Sequence, residues 1–118
     1  MRLFYLYKLR RISYKTDFQI PPFTCGKGLT IYHWGSIIIN SRVRIGDNCT
    51  LYPGVLIGWK GPEERGCAQI GKNVFIGSGT KIIGPVKIGN NVIIGQNCVI
   101  TKDIPDNSVV VQSNLRYL

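Results

Sequence analysis

The sequence has little of what several large classes of protein require. It contains one histidine, only six acidic residues and no CxxC pair among its four cysteines. These counts exclude the usual Cys- and His-rich zinc sites and the zinc enzymes that need three histidines. No apolar stretch approaches twenty residues, and the first residues lack the apolar core and cleavage site of a signal peptide. We therefore expect a cytoplasmic protein with reduced cysteines and no bound metal.

Basic residues outnumber acidic residues by 15 to 6, which gives a formal net charge of +9. Such an excess can indicate nucleic-acid binding, which relies on clustered Lys and Arg. Here five basic residues lie in the first fifteen positions, and the others are scattered singly without the interleaved aromatic residues that stack on bases. We expect no nucleic-acid binding, and instead a basic surface that serves a small anionic ligand.

A six-residue period runs without interruption through residues 70–100. The aliphatic residues that lead the units are Ile70, Ile76, Ile82, Ile88, Ile94 and Ile100. An amphipathic helix would need apolar spacings of three and four, and the β-branched, Gly and Asn residues of this segment disfavour a helix. A fixed hexapeptide period is typical of a parallel β-helix, in which three units close one triangular coil. The 44% hydrophobic content suits a single domain whose core lies between stacked coils.

The period is interrupted twice upstream of residue 70. The leading aliphatic residues step by eight from Ile31 to Ile39, and by thirteen from Ile57 to Ile70. The first break predicts a bulged corner that contains His33. The second predicts that one unit is replaced by a flexible loop at 59–69, rich in Gly, Pro and charge. We expect function at these two places, because a rigid repeat stack displays its functional residues where it departs from regularity.

The flanking segments are expected to form the ends of the solenoid. Residues 1–19 are predicted to form a helical cap, residues 20–111 the β-helix, and residues 112–118 a polar tail. Within the β-helix, the coil is expected to end after Ile100 in a turn-rich exit with one last strand near 108–111. The helix alternates aromatic and basic residues, so contact with an anionic membrane surface is the alternative to a cap. The cap is favoured because solenoid ends must be covered.

With both interruptions placed, the chain resembles the hexapeptide-repeat acyltransferases. Within them it is similar to the serine acetyltransferases and to the O-acetyltransferases of polysaccharide biosynthesis. The resemblance covers nearly all of 20–111, and its specific part lies at 31–40, 45–48, the loop after Gly58, 70–84 and 102–108. It implies an all-β, left-handed parallel β-helix with a short N-terminal helix and one extruded loop. It also implies an acetyl-CoA-dependent enzyme that forms a homotrimer with active sites between subunits.

The resemblance assigns roles to particular residues. It implies that His33 is the general base that takes the proton from an acceptor hydroxyl attacking the thioester of acetyl-CoA. An imidazole, with an unperturbed pKa of about 6.5, suits this transfer near neutral pH. The acceptor would contact Tyr32, Trp34 and Trp59. The residues expected to bind acetyl-CoA are Gly58, Gly77, Ser78, Gly79 and Thr80, with Lys81 and Lys102 near its phosphates.

The acceptor is predicted from departures from the serine acetyltransferases. Pro53 stands where the resemblance places a second histidine, and Phe18 stands where it places an aspartate, with Asp17 one residue away. The segment before the coils is short, and residues 112–115 differ from the expected Gly-x-Pro-Ala turn. We therefore predict transfer to a hydroxyl of a sugar or polysaccharide precursor. Serine O-acetylation in cysteine biosynthesis is the first alternative, and a catalytically inactive structural β-helix is the second.

Overall fold

The computed structural model describes residues 2–113 and 117, in which one helix precedes thirteen short strands. Each strand is two or three residues long, because a turn follows each strand of a hexapeptide unit. The helix α1 spans Arg2–Thr16, and the strands are β1 Phe18–Gln19, β2 Thr30–Ile31, β3 Ile37–Ile39, β4 Arg44–Ile45, β5 Thr50–Leu51, β6 Leu56–Gly58, β7 Gln69–Ile70, β8 Phe75–Ile76, β9 Lys81–Ile83, β10 Lys87–Ile88, β11 Ile93–Ile94, β12 Val99–Ile100 and β13 Val109–Val110.

The strands form three parallel sheets, which are the three faces of a triangular solenoid. The first face has the strand order β1-β3-β6-β9-β12, the second β4-β7-β10, and the third β2-β5-β8-β11-β13. Consecutive strands lie on different faces, so three strands close one coil. The predicted left-handed parallel β-helix is confirmed.

The core is built from the two positions that recur in each hexapeptide. The leading aliphatic residues stack in rows, and on the third face Leu51 pairs with Ile76 and Ile76 with Ile94, eighteen residues on. All three side chains are fully buried. The second recurring position is buried as well, with Val74, Thr80, Val86, Val92 and Cys98 inside the coils. Both inward positions therefore match the sequence pattern.

The coil extends further at both ends than the sequence period predicts. It begins at Phe18, which pairs with Ile37, so β1 lies within the segment assigned to the helical cap. At the other end, Ile104 forms a bridge with Ile88 and is only 8% exposed. The expected exit after Ile100 is therefore wrong, because a step of four residues continues the coil. The predicted last strand is present as β13, whereas the polar tail predicted at 112–118 lies partly outside the described residues.

The long step after Ile57 is an insertion at a corner. Ile57 on the first face is followed directly by Ile70 on the second, so the step of thirteen is one ordinary step of six with seven extra residues. The prediction that a whole unit is replaced is therefore wrong. Cys67 and Ala68 are already buried and Gln69 lies in β7, which limits the protruding loop to residues 59–66.

The helix α1 is joined to the coil at its C-terminal end. Its Thr16 carbonyl accepts a hydrogen bond from the Gly35 amide (3.2 Å), and the Asp17 carbonyl accepts one from the Ile37 amide (3.3 Å). None of the helix residues is buried. A groove of about 830 Å³ separates the helix from the segment 20–22. The helix therefore lies beside the first coil without packing closely on it.

Asparagine residues form a ladder along one corner of the solenoid. Asn73, Asn91 and Asn107 all have φ between 56° and 59°, in the left-handed region that Asn tolerates better than most residues. The side-chain amide of Asn73 donates to Asn91 Oδ1 (3.2 Å), and the side-chain amide of Asn91 donates to Asn107 Oδ1 (3.3 Å). The ladder thus joins three successive coils.

Substitution of Asn91 tests this ladder. Asn91→Ala removes the side-chain hydrogen bonds to Asn73 and Asn107. It also leaves alanine, which has no polar side chain to bond locally, in the left-handed region, so we expect the free energy of unfolding to fall by about 2 kcal/mol. Asn91→Gly removes the same contacts without steric strain and should lose less. Urea unfolding of both variants measures the difference, and an alanine variant as stable as the glycine variant would contradict the conformational part of the explanation.

Candidate active site

The bulged corner between β2 and β3 presents the single histidine to solvent. His33 is exposed and has φ 69°, a left-handed conformation that His adopts more readily than branched residues. Its ring centroid lies 6.5 Å from that of Tyr52 in the next coil. The corner is anchored on both sides, since the Tyr32 amide donates to the Leu51 carbonyl (3.2 Å) and the Gly35 amide donates to Thr16. An accessible imidazole is therefore held on a fixed backbone.

Aromatic rings from three coils stack beside this corner. Tyr32 stacks on Tyr52 at 5.4 Å between ring centroids, and Tyr52 contacts Phe75 at the same distance. Of the two aromatic residues predicted at the corner, Tyr32 joins the stack and is half exposed, whereas Trp34 is 81% exposed. Sequence reasoning missed Tyr52 and Phe75, because their proximity depends on the register between coils.

The same edge of the solenoid carries the predicted acetyl-CoA corner. Gly35 packs on Pro53, whose Cβ would lie 3.0 Å from a Cβ added at Gly35. The Pro53 carbonyl in turn accepts hydrogen bonds from the Ser78 hydroxyl (2.8 Å) and the Gly79 amide (3.1 Å). The His33 corner and the predicted cofactor corner therefore follow one another along one edge, two coils apart.

The cofactor corner itself is tightly packed. The Gly77 amide donates to the Ile94 carbonyl (2.9 Å), and a Cβ at Gly79, with φ 75°, would meet the side chain of Asn97. Lys81 is exposed, and its Nζ donates to the Gly79 carbonyl (2.7 Å). The side chains of Asn97 and Lys81 thus both contact this corner at Gly79.

Thr80 does not contribute a side chain to this surface. It is fully buried, its Oγ1 donates to the Gly95 carbonyl (2.8 Å), and the same oxygen accepts from the Cys98 amide (3.3 Å). The second position of each hexapeptide faces the core, so a cofactor contact at Thr80 could involve only its backbone, and this contact stays a prediction.

The remaining predicted residues lie at another edge. Gly58 ends β6, and its carbonyl accepts from the Gly84 amide (2.9 Å) at the corner between the first and second faces. Trp59 starts the loop at this corner, and the exposed Lys102 follows β12 at the same edge. Since β3, β6, β9 and β12 run from one edge of the first face to the other, a single chain does not bring these residues to His33.

A small pocket lies at the base of the loop. It has a volume of about 190 Å³ and is lined by Asn40, Ser41, Arg42, Trp59 and Arg65. The Arg65 guanidinium lies over the Trp59 ring, 5.4 Å from its centroid, and its Nε donates to the Pro62 carbonyl (3.3 Å). Two guanidinium groups in one pocket favour an anionic ligand. Sequence reasoning missed Arg42 and Arg65, which only the fold of the loop brings together.

The buried cysteine beside this pocket is not positioned as a nucleophile. Burial raises the pKa of the Cys67 thiol, and the nearby Arg42 guanidinium only partly opposes this shift. A raised pKa keeps the thiol protonated near neutral pH, and a protonated thiol is a poor nucleophile. No group of three His, Cys, Asp or Glu residues able to hold a metal ion occurs within residues 2–113 and 117.

The chain is thus a left-handed β-helix of hexapeptide repeats, with an exposed imidazole at one corner and an arginine-lined pocket at another. Residues 67–102 match the sequence model of the bacterial transferase hexapeptide family (six repeats). The serine acetyltransferase of Staphylococcus aureus is 43% identical over 88 residues, which cover 73% of this chain and 41% of that protein. Its Staphylococcus epidermidis counterpart is 41% identical over 87 residues.

Solved structures give the same result. The serine acetyltransferase of Neisseria gonorrhoeae superposes with a TM-score of 0.78 at 30% identity, covering 88% of this chain and 41% of that one. Serine acetyltransferase isoform 3 of Entamoeba histolytica, in complex with cysteine, superposes with a TM-score of 0.76 at 28% identity, covering 92% and 40%. The predicted resemblance to hexapeptide-repeat acyltransferases is confirmed. The chain spans about 41% of the length of the staphylococcal relatives.

The predicted sugar acceptor and the assignment to polysaccharide biosynthesis are contradicted by these matches, which are serine acetyltransferases. The prediction relied on Pro53 at a position where a histidine was expected. In the structure, the Pro53 carbonyl accepts hydrogen bonds from Ser78 and Gly79, which any residue at this position could accept, and the Pro53 ring packs on Gly35. The correction of the acceptor therefore rests on the matches to serine acetyltransferases.

Proposed function

We propose that this chain forms the catalytic β-helix of an acetyl-CoA-dependent serine O-acetyltransferase, with His33 as the general base. The observation that carries the proposal is the exposed imidazole of His33 on the same edge as the Ser78-Gly79 corner. His33 would remove the proton from the serine hydroxyl as its oxygen attacks the thioester carbonyl. The C–S bond then breaks, CoA leaves as the thiol after protonation, and O-acetylserine is formed.

Acetyl-CoA would lie along the edge that begins at His33. The thin pantetheine arm would lie against Gly77, Ser78 and Gly79, where glycine allows close approach to the backbone. The exposed Lys81 follows this corner directly and is the nearest candidate for a phosphate contact. Gly58 and Lys102 lie at the opposite edge of the first face and would meet a cofactor bound to a neighbouring copy.

The pocket at the loop is suited to the carboxylate of the acceptor. Arg42 and Arg65 supply guanidinium groups, which bind carboxylates through charge-assisted hydrogen bonds. Trp59 forms one wall of the pocket and holds the Arg65 guanidinium by a cation–π contact. If the carboxylate of a serine is bound in this pocket, its hydroxyl would lie on the solvent-exposed side of the loop.

A complete site would require a second copy of the chain. His33 and the arginine pocket lie at opposite edges of the first face, so the pocket of one chain would have to meet the His33 corner of its neighbour. Exposed apolar residues on two faces support such packing, with Ile38 and Val99 on the first face and Ile93 and Val109 on the third. A heterologous contact of this kind can close a ring, and we propose a homotrimer with three equivalent sites between subunits, as the family resemblance implies.

Mixing two inactive variants tests this arrangement. His33→Asn removes the base and Arg65→Ala removes a carboxylate contact, so each variant alone should acetylate serine poorly. Refolded together in equal amounts, they should recover about a quarter of the wild-type activity, because that share of sites takes both intact residues from different chains. Release of CoA in the presence of L-serine measures the result, and sedimentation measures the oligomeric state.

The control is the same pair of substitutions combined in one chain and mixed with wild type. If the sites are shared between chains, this mixture should also keep about a quarter of the wild-type activity, because a site is intact only where both chains that form it are wild type. Activity that is not recovered on mixing the single variants, in a protein shown to be trimeric, would contradict a shared site. Binding of acetyl-CoA without turnover of L-serine by the wild-type chain would favour the inactive structural β-helix.

A further inference from the structure

We propose that the helix α1 binds the surface of an anionic lipid bilayer. The helix carries Arg2, Lys8, Arg10, Arg11 and Lys15, which are five of the fifteen basic residues of the chain, and none of its six acidic residues. This concentration of positive charge lies at one end of the solenoid. The proposal does not depend on the catalytic role of the β-helix.

Apolar side chains accompany these charges and are open to solvent. Leu3 and Tyr14 are each 82% exposed, Ile12 is 52% exposed, and no residue of the helix is buried. Phe23, in the turn beside the start of the helix, is 75% exposed and lies under the Arg2 guanidinium at 5.8 Å. A helix whose purpose was to cover the end of the coil would bury such residues against it. Within residues 2–113 and 117, the fold leaves Leu3, Ile12 and Tyr14 open to solvent.

Three of the basic residues share one side of the helix. Lys8, Arg11 and Lys15 are spaced by three and four residues, which places them in one row that we call the basic stripe. The stripe is continuous with Phe4, whose ring lies 4.7 Å from the Lys8 ammonium. With 3.6 residues per turn, Leu3 and Ile12 lie on opposite sides of this stripe. The stripe would therefore face the anionic lipids, and the apolar side chains that flank it would reach the headgroup region.

The positive charge of the helix indicates which kind of partner binds this surface. A second copy of the helix would bring two strongly positive segments together, and repulsion would oppose the contact. A nucleic acid would match the charge but would leave Leu3 and Ile12 without an apolar environment. An anionic bilayer provides both partners. No helix within residues 2–113 and 117 is long and apolar enough to cross a membrane, so the binding proposed is to the surface.

Sedimentation of the full chain with vesicles tests the proposal. The wild type should bind vesicles of phosphatidylcholine and phosphatidylserine, should bind them less as salt rises, and should not bind phosphatidylcholine alone. Lys8→Gln/Arg11→Gln/Lys15→Gln should weaken binding about a hundredfold, since each basic residue near an anionic surface contributes about fivefold. The matched control, Lys27→Gln/Lys72→Gln/Lys87→Gln, removes the same charge from the β-helix and should bind like the wild type.

A second variant tests the apolar contribution and guards against misfolding. Leu3→Ser/Ile12→Ser keeps every charge and should also weaken binding, and circular dichroism checks that each variant retains its helix and strands. The proposal is overturned if the wild type does not bind phosphatidylserine vesicles or if both triple variants weaken binding equally. It is also overturned if duplex DNA is bound more tightly than the vesicles, or if the stripe substitutions change only the oligomeric state.

Discussion

Replacement of His33 by asparagine is expected to lower kcat for serine acetylation by about 10²- to 10⁴-fold, which is the usual contribution of a positioned general base. Asparagine is the appropriate substitute because it tolerates the left-handed backbone at this corner, where φ is 69°. The variant should therefore keep the fold and its affinity for acetyl-CoA. Steady-state release of CoA with L-serine measures kcat, and calorimetric titration measures acetyl-CoA binding.

The matched control for this substitution is Phe23→Asn. Phe23 is also exposed and has φ 67°, but it lies in a turn between the first and second faces, opposite the His33 corner, and it does not line the arginine pocket. Its replacement should leave kcat unchanged. His33→Ala should lose as much activity as His33→Asn and, in addition, some stability, because alanine adopts the left-handed region less readily. A His33→Asn enzyme with wild-type kcat and a serine dependence like that of the wild type would disprove the assignment of the base.

Replacement of Gly46 by alanine is expected to cause a large loss of stability. A Cβ at Gly46 would lie 2.6 Å from the carbonyl oxygen of Gly71 and 2.7 Å from its carbonyl carbon. These are backbone atoms of the next coil, so they cannot move aside as a flexible side chain could. Because the Gly46 amide also donates to the Ile70 carbonyl (2.9 Å), the coils would have to separate locally.

We expect Gly46→Ala to lower the free energy of unfolding by about 3 kcal/mol, at the upper end of overpacking effects. The melting temperature should then fall by more than about 10 °C. Gly61→Ala is the control, since a Cβ at Gly61, in the protruding loop, meets no atom within 4 Å. Thermal unfolding followed by circular dichroism compares the two. Equal melting temperatures would show that the coils separate more easily than their backbone contacts indicate.

Some residues could be placed correctly from the sequence because the evidence for them is repeated. The period predicts that Ile76, Ile82 and Ile94 face the core, and each is fully buried. The bulge at His33 was visible as a step of eight residues against a background of sixes. By contrast, Ile104 was missed because its unit is shortened to a step of four, and a single irregular unit gives no repeated signal from which to identify it.

The corners at which the coil departs from regularity could be located from the sequence, but the residues that meet there could not. The stack of Tyr32, Tyr52 and Phe75 and the pairing of Arg42 with Arg65 join residues from different coils. Which residues meet depends on the lengths of the insertions between them, and a change of one residue in either insertion would alter the contacts. The sugar acceptor was wrong because single departures such as Pro53 were given more weight than the similarity of the whole coil to serine acetyltransferases.

The six-residue period of residues 70–100 thus determined by itself that the chain is a parallel β-helix. It also determined where the coil departs from regularity. A repeated pattern of side-chain volume and β-branching specifies a repeated local conformation, so each unit supplies the same information again. The tertiary structure alone decided that His33 and the Ser78-Gly79 corner share one edge, that the arginine pocket lies at another, and that the helix α1 remains exposed. These relations depend on the stacking of distant coils, in which each contact occurs only once.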